Sequence, residues 1–198
     1  MRAFTIGNST VLVDAAGLTG ARPPLELLAA SSALSVDASA LAVGRRCPEC
    51  GSADHGQPFV DFADGRASGC WVSLARSSGV EAAVACLTGP VGVDIESRAA
   101  VALHPVAATL LHPAEADELD ALGQTEADAL LASLWVAKEA LLKATGRGLR
   151  VDPRGIRLGI ARDAVTVERW PAELALATSP RVTLFDVTDD IVGALVEL

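Results

Sequence analysis

The sequence predicts an α+β fold built as two similar halves, residues 1–97 and 98–198. The stretch 126–145 lacks Pro and Gly and is dominated by Ala and Leu, the strongest helix formers. Residues 71–75, 82–87 and 91–95 alternate or run apolar between turn signals, as strands do. Beyond Leu149 the chain returns to strand-like runs, so the helix-then-meander order of residues 25–96 occurs twice. No residue-level repeat accompanies it; element order is one of two grounds, with the resemblance given below, for expecting a pseudo-twofold with its site between the halves.

Taken in order, residues 4–13 read as a first strand, and Pro23-Pro24 introduces a helix over 25–33. A short helix start at 35–38 and a strand at 41–43 follow. Arg46–Pro58 is a Gly- and Pro-punctuated loop. Strands 71–75 and 82–87 flank Ser77-Ser-Gly79 as a hairpin, and Gly89-Pro90 leads into a third strand, 91–95. A short helix over 114–122 follows His112-Pro113, read as an ordinary helix start. The main helix has Thr125 available as N-cap and Gly146 as its stop. Strands at 156–160, 164–170, 181–187 and 191–198 complete the chain.

With 198 residues the chain can bury an ample core. A net charge of -9 and no basic run longer than Arg45-Arg46 argue against a nucleic-acid partner. The same charge repels anionic ligands, so phosphate chemistry needs a metal or a few placed cations. No run reaches the length of a membrane span and no cleavable leader is evident, so a cytoplasmic protein with reduced Cys47, Cys50, Cys70 and Cys86 is expected. Cys47 and Cys50 have the spacing of a zinc half-site, with His55 or Asp54 available as a third ligand. The second half-site is missing, and the spacing alone does not establish a bound metal.

Charge stands in two places where a core would want none. In Gly92-Val-Asp-Ile-Glu96, Val93 and Ile95 face one side of a strand while Gly92, Asp94 and Glu96 face the other. On the main helix, Leu131, Trp135, Glu139 and Lys143 form one stripe, beside an apolar one of Leu130, Leu134, Ala137 and Leu141. Of 16 basic residues 14 are Arg, and the only lysines are Lys138 and Lys143, which suggests a need for a compact ammonium rather than a planar fork. A plain Glu139–Lys143 surface pair is the simpler alternative. If the helix packs across the strand, Asp94, Glu96 and Glu139 converge as three hard oxygen ligands. Such a set suits Mg²⁺, which keeps waters and completes its shell with substrate phosphates.

These residues resemble the signature pair of the 4'-phosphopantetheinyl transferase superfamily: Gly92-Val-Asp-Ile-Glu96, then Trp135-x-x-Lys138-Glu139-Ala-x-x-Lys143-x-x-Gly146-x-Gly148-Leu149. His55-Gly-Gln-Pro58 is similar to the family's H-G-basic-P loop, and Trp71–Gly79 stands where the family has a V-S-x-S-H-S strand and turn. The single-chain length resembles the surfactin-synthetase-activating type, which folds as two α+β halves. The resemblance implies transfer of the 4'-phosphopantetheine arm of coenzyme A to a serine of an apo acyl or peptidyl carrier protein, releasing adenosine 3',5'-bisphosphate. It implies Mg²⁺ (or Mn²⁺) held by Asp94, Glu96 and Glu139, and a monomer serving secondary metabolism. Glu139 would take the serine proton, directly or through a water, and Lys143 would stabilise the phosphate. Coenzyme A would meet Arg46, His55, Gly56, Gln57, Pro58, Ala75, Arg76 and Lys143. The segment after the helix, with Arg147, Arg150 and Arg154, would dock the carrier.

The chain departs from the family pattern at Gln57, where Lys or Arg is usual, and at Ala75-Arg76, where Ser-His is usual. Arg76 is a candidate replacement for the histidine. These departures motivate the rival reading, a non-catalytic coenzyme A or carrier-protein binding module. Trp71 and Trp135 are expected in the core, and His104 and His112 carry no assigned chemistry.

Overall fold

The computed structural model describes residues 1–14, 22–161 (Leu149 by its backbone alone), 164–174 and 179–198. Strands β1 (Arg2–Ile6) and β2 (Ser9–Asp14) are followed by helix α1 (Leu25–Leu34). A 3₁₀ turn leads into β3 (Leu41–Arg46), β4 (Gln57–Phe62), β5 (Trp71–Ser77), β6 (Val80–Cys86) and β7 (Val91–Ser97). Helices α2 (Arg98–Leu103), α3 (Ala107–Leu110), α4 (Pro113–Asp120) and the long α5 (Gln124–Ala144) come next. After two 3₁₀ turns the chain ends in β8 (Arg157–Ala161), β9 (Ala164–Arg169), β10 (Arg181–Asp186) and β11 (Ile191–Glu197).

Two antiparallel sheets result, ordered β1-β2-β6-β5 and β7-β11-β10-β9-β8, with β3-β4 as a separate ribbon. Their inner faces share one cluster: Val11, Val13, Val84 and Cys86 from the first sheet meet Val91, Val93, Ile95 and Leu195 from the second. The outer face of the first sheet, through Leu12, Ala83 and Ala85, packs on Leu25, Ala29 and Ala30 of α1. The outer face of the second, through Ala194 and Val196, packs on Ala137, Ala140 and Leu141 of α5. Helix, sheet, sheet, helix is the layering. Both faces of β6 are covered, so from Ala82 to Cys86 it reads as a continuous apolar run.

Several sequence expectations change here. The stretch read as one strand over 4–13 is a hairpin, because Gly7 at φ +57 and Asn8 turn the chain between β1 and β2. Residues 57–58, read as the end of a loop, open strand β4, which pairs with β3 in full register. The β5–β6 hairpin forms as expected, with Ser78 (φ 49) and Gly79 (φ 77) both at positive φ, as a primed turn requires. The third strand forms as expected, as β7, but it pairs with β11, from Val91↔Glu197 to Ser97↔Ile191, rather than continuing the meander beside β6. The strand bearing Asp94 and Glu96 thus belongs to the sheet of β8–β11. Helix α5 begins at Gln124 with Gly123 as N-cap rather than Thr125, and Gly146 (φ +66) follows its end. Trp135 is partly buried against the α5 core, whereas Trp71, at the start of the edge strand β5, is 46% exposed.

Candidate active site

Gly92 sets how closely α5 approaches β7. A Cβ there would collide with the Ala140 carbonyl oxygen and lie 2.6 Å from Ala144 N, so only glycine lets the helix backbone rest on the strand. That contact brings Glu139 and Lys143 over the face of β7 carrying Asp94 and Glu96.

Lys143 is the hub. Its Nζ donates to Asp94 Oδ1 (2.7 Å), to the Val93 carbonyl (3.2 Å) and, at a longer 3.5 Å, to the Leu74 carbonyl. One ammonium therefore joins α5 to β7 and to β5, the adjoining edge of the other sheet. The serines of β5 add to this seam: Ser73 Oγ accepts from Val93 N (3.2 Å), and Ser77 Oγ donates to Glu96 Oε1. Ser97 N donates to the same Glu96 oxygen at 2.9 Å. No ion pair joins Glu139 to Lys143; the simple i,i+4 surface pair is replaced by the pairing with Asp94.

Burial pushes the Asp94 carboxyl up to about 6; Lys143 opposes the shift, and the neighbouring charges of Glu139 and then Glu96 add to it. Burial likewise raises Glu139, again opposed by Lys143. The cluster carries more negative charge than Lys143 neutralises, and its donors are all hard oxygens. Both properties fit Mg²⁺ held by Asp94, Glu96 and Glu139. Their oxygens are not drawn into one tight group: among the described residues, only Cys47, Cys50 and His55 bring three donor atoms within 4.8 Å of one another.

Beside Lys143 opens a cavity of about 360 Å³. Its cationic lining is Lys143, Arg147 and Arg150 from the end of α5 and the turn after it, with Arg45 from β3. Gly56, Gln57 and Pro58 form the facing wall, with Gln57 Oε1 near Gly146. Four expected ligand-contacting residues thus meet at the cavity: Gly56, Gln57, Pro58 and Lys143. The other four lie elsewhere. Arg46 stacks over Phe59 (5.2 Å) along a neighbouring groove, and His55 faces Cys50. Ala75 is buried between the sheets, so its side chain has no ligand-facing surface. Arg76 is paired with Glu81, which also holds Arg22 at 2.6 Å. Arg45 was missed because strand alternation sends adjacent arginines to opposite faces, and only the fold tells which faces the cavity. Of the arginines expected to dock a partner, Arg147 and Arg150 line the cavity, Arg150 also meeting Glu49 at 3.2 Å. Arg154 is paired with Asp152 at 2.7 Å; residues 162–163 of that docking segment lie outside the described residues.

Lys138 has a different task. It is fully buried, and its three donors reach Glu115 Oε2 (2.6 Å), Leu110 O (2.9 Å) and Pro153 O (3.1 Å). Glu115 in turn accepts from His112 N and Leu158 N, both at 2.8 Å. Lys138 fastens α5 to α3, α4 and the turn before β8, so the charged cluster stands on a fixed helix.

Residues 90–182 match the family model described as the 4'-phosphopantetheinyl transferase superfamily. That segment, just under half of the chain, is similar to the superfamily. The matched segment contains Asp94, Glu96, Glu139, Lys143 and the arginines after α5, and leaves out His55–Pro58 and Arg76. Similar solved structures include the holo-[acyl-carrier-protein] synthase of Neisseria meningitidis, at 26% identity over 54% of this chain and 94% of that one (TM-score 0.47). The holo-ACP-synthase of Plasmodium yoelii gives 18% identity over 54% and 91% (TM-score 0.45). The Plasmodium yoelii acyl carrier protein synthase with ADP bound gives 20% over 54% and 91% (TM-score 0.44). No curated protein matches the chain. Among its described residues, no helix is long and apolar enough to cross a membrane.

Proposed function

We propose that this protein moves the 4'-phosphopantetheine arm of coenzyme A onto a serine of an apo acyl or peptidyl carrier protein, as a cytoplasmic monomer requiring Mg²⁺. One observation carries the reading. The Lys143 ammonium is shared between the carboxylate cluster and the rim of a cavity whose other cations are Arg45, Arg147 and Arg150. A diphosphate seated there would lie between cations and acids.

Asp94, Glu96 and Glu139 would hold Mg²⁺, which when bound neutralises the charge of the diphosphate. The serine hydroxyl oxygen attacks the phosphorus that bears the pantetheine arm. The new O–P bond forms as the bond to the bridging oxygen breaks, and adenosine 3',5'-bisphosphate leaves with that oxygen. Glu139, whose proton affinity is raised by burial, accepts the serine proton. Lys143 turns from Asp94 towards the phosphoryl oxygens as charge develops there. Arg45, Arg147 and Arg150 hold the phosphates of the nucleotide end, which Gln57 as a neutral residue does not. With a net charge of -9, the protein would dock an acidic carrier through apolar contacts and placed arginines such as Arg154.

The test is intact-protein mass spectrometry of apo carrier proteins incubated with this protein, coenzyme A and Mg²⁺, beside Asp94→Ala and Glu139→Ala. A phosphopantetheine-sized gain that needs Mg²⁺ and vanishes in both variants supports the reaction and these roles. Gln57, and the tie of Arg76 to Glu81, favour a second reading, a coenzyme A or carrier-protein binding module. Saturable coenzyme A binding without transfer to any carrier would support that one.

A further inference from the structure

The loop joining β3 to β4 has no apolar anchor. From Pro48 to Gly56 no side chain is buried, yet the loop is closed at its base by the Arg46↔Gln57 pair and by Gly56, where a Cβ would collide with the Arg46 carbonyl. Its tip is a tight turn: Gly51 N donates to Cys47 O (3.0 Å), Cys47 N donates to Ser52 O (2.9 Å), and Gly51 sits at φ +72. This geometry places Cys47 Sγ, Cys50 Sγ and His55 within 4.8 Å of one another.

We propose that Cys47, Cys50 and His55 bind one zinc ion, with solvent as the fourth ligand, and that this ion holds the loop in shape. Zn–S bonds of about 2.3 Å and Zn–N bonds of about 2.0–2.1 Å, at tetrahedral angles, put an S and an N ligand about 3.6 Å apart. Cys50 Sγ and His55 Nε2 are 3.5 Å apart. Two thiolates and an imidazole select zinc over the hard cation expected at Asp94. Cys50 and His55 are exposed, so the ion can enter and a water can complete the tetrahedron. Because Cys47, Pro48 and Glu49 line the cavity beside Lys143, the zinc loop would form one of its walls.

The test uses the full chain, purified under reducing conditions without a histidine tag. Zinc is counted by mass spectrometry of the elements, and the protein freed of metal is titrated with Co²⁺. One zinc per chain is expected, with a one-to-one Co²⁺ spectrum showing intense tetrahedral d–d bands and thiolate-to-cobalt charge transfer. Cys47→Ser and Cys50→Ser should each lose both signals, and Cys70→Ser should keep them. The proposal is overturned if reduced wild-type protein gives no thiolate–cobalt band, if the band survives in Cys47→Ser and Cys50→Ser, or if the two thiols emerge as a disulfide. The wild-type titration stands even if a serine variant misfolds. Removing the zinc should also weaken coenzyme A binding by about tenfold or more, the usual range for disturbing a site's supporting shell. That last effect alone rests on the function proposed above; metal content and spectrum do not.

Discussion

Lys143 Nζ and Asp94 Oδ1 lie 2.7 Å apart, joining the last turn of α5 to the middle of β7. Lys143 spends all three of its donors on Asp94 and two backbone carbonyls, as Lys138 does on Glu115 and two others. Both lysines of the chain therefore stand where three divergent donors are needed. A guanidinium, larger and planar, cannot reproduce that arrangement. Lys143→Arg is expected to lose transfer nearly as fully as Lys143→Ala, by about 10²–10³-fold in kcat. Arginine activity within about tenfold of wild type would mean that only the charge matters.

Asp94 gives a pH prediction with a definite sign. Unfolded, its carboxyl releases a proton near 3.8; folded, it holds the proton to about 6. The folded state binds more protons in that window, so metal-free stability falls as pH rises from 3.8 to 6 and stays lower above it. The shift corresponds to a cost of about 3 kcal/mol at neutral pH. In urea melts with chelator present, Asp94→Asn should stabilise the protein by about 1–3 kcal/mol at pH 7.5 and change little at pH 4, while abolishing transfer. A less stable Asp94→Asn at pH 7.5 would contradict this. Saturating Mg²⁺ should shrink the difference by stabilising only the wild type.

Gly92→Ala adds one methyl group where the Ala140 carbonyl already stands. The helix must lift from β7, at a cost of about 2–3 kcal/mol, and Glu139 and Lys143 move with it. A lower urea midpoint together with weakened Mg²⁺-dependent transfer is the expected pair of results. Unchanged stability would show that α5 can shift freely.

Lys138→Met tests the buried fastening. Removing the ammonium strands Glu115 in a fully buried setting, which should destabilise by about 3–5 kcal/mol. Glu115 still accepts from His112 N and Leu158 N, so Lys138→Met with Glu115→Gln should recover part of that loss. Thermal melts of the two singles and the double measure the coupling; simple additivity would sink the idea of a shared charge.

The charged motifs were legible because their neighbours obey local periods. Val93 and Ile95 alternate with Gly92, Asp94 and Glu96 and do face the sheet interface, and the helix over 126–145 matches α5 to within two residues at its start. What could not be read is non-local. Nothing near Asp94 announces Lys143, forty-nine positions on, as its partner rather than the closer-spaced Glu139. The pairing of β7 with β11 is a choice among several apolar strands that the rest of the sheet makes. Gly7-Asn8 was passed over because the residues around it alternate well enough to mimic one strand. Arg45 and Arg46 could be told apart only by which face of β3 meets the cavity.

The seven-residue ladder between β7 and β11 also has a consequence for synthesis. Strand β7 leaves the ribosome long before its partner exists, and at about 5–20 residues per second the wait lasts on the order of 5–20 s. Until β11 emerges, Asp94 and Glu96 sit on a strand with a bare edge, and the apolar side that carries Val93 and Ile95 lacks Ile191 and Leu195. A nascent chain is exposed to misassembly at this point, and holdase chaperones are expected to engage it there. Strand β11 is the one that joins β7, and with it the acidic cluster, to the rest of its sheet.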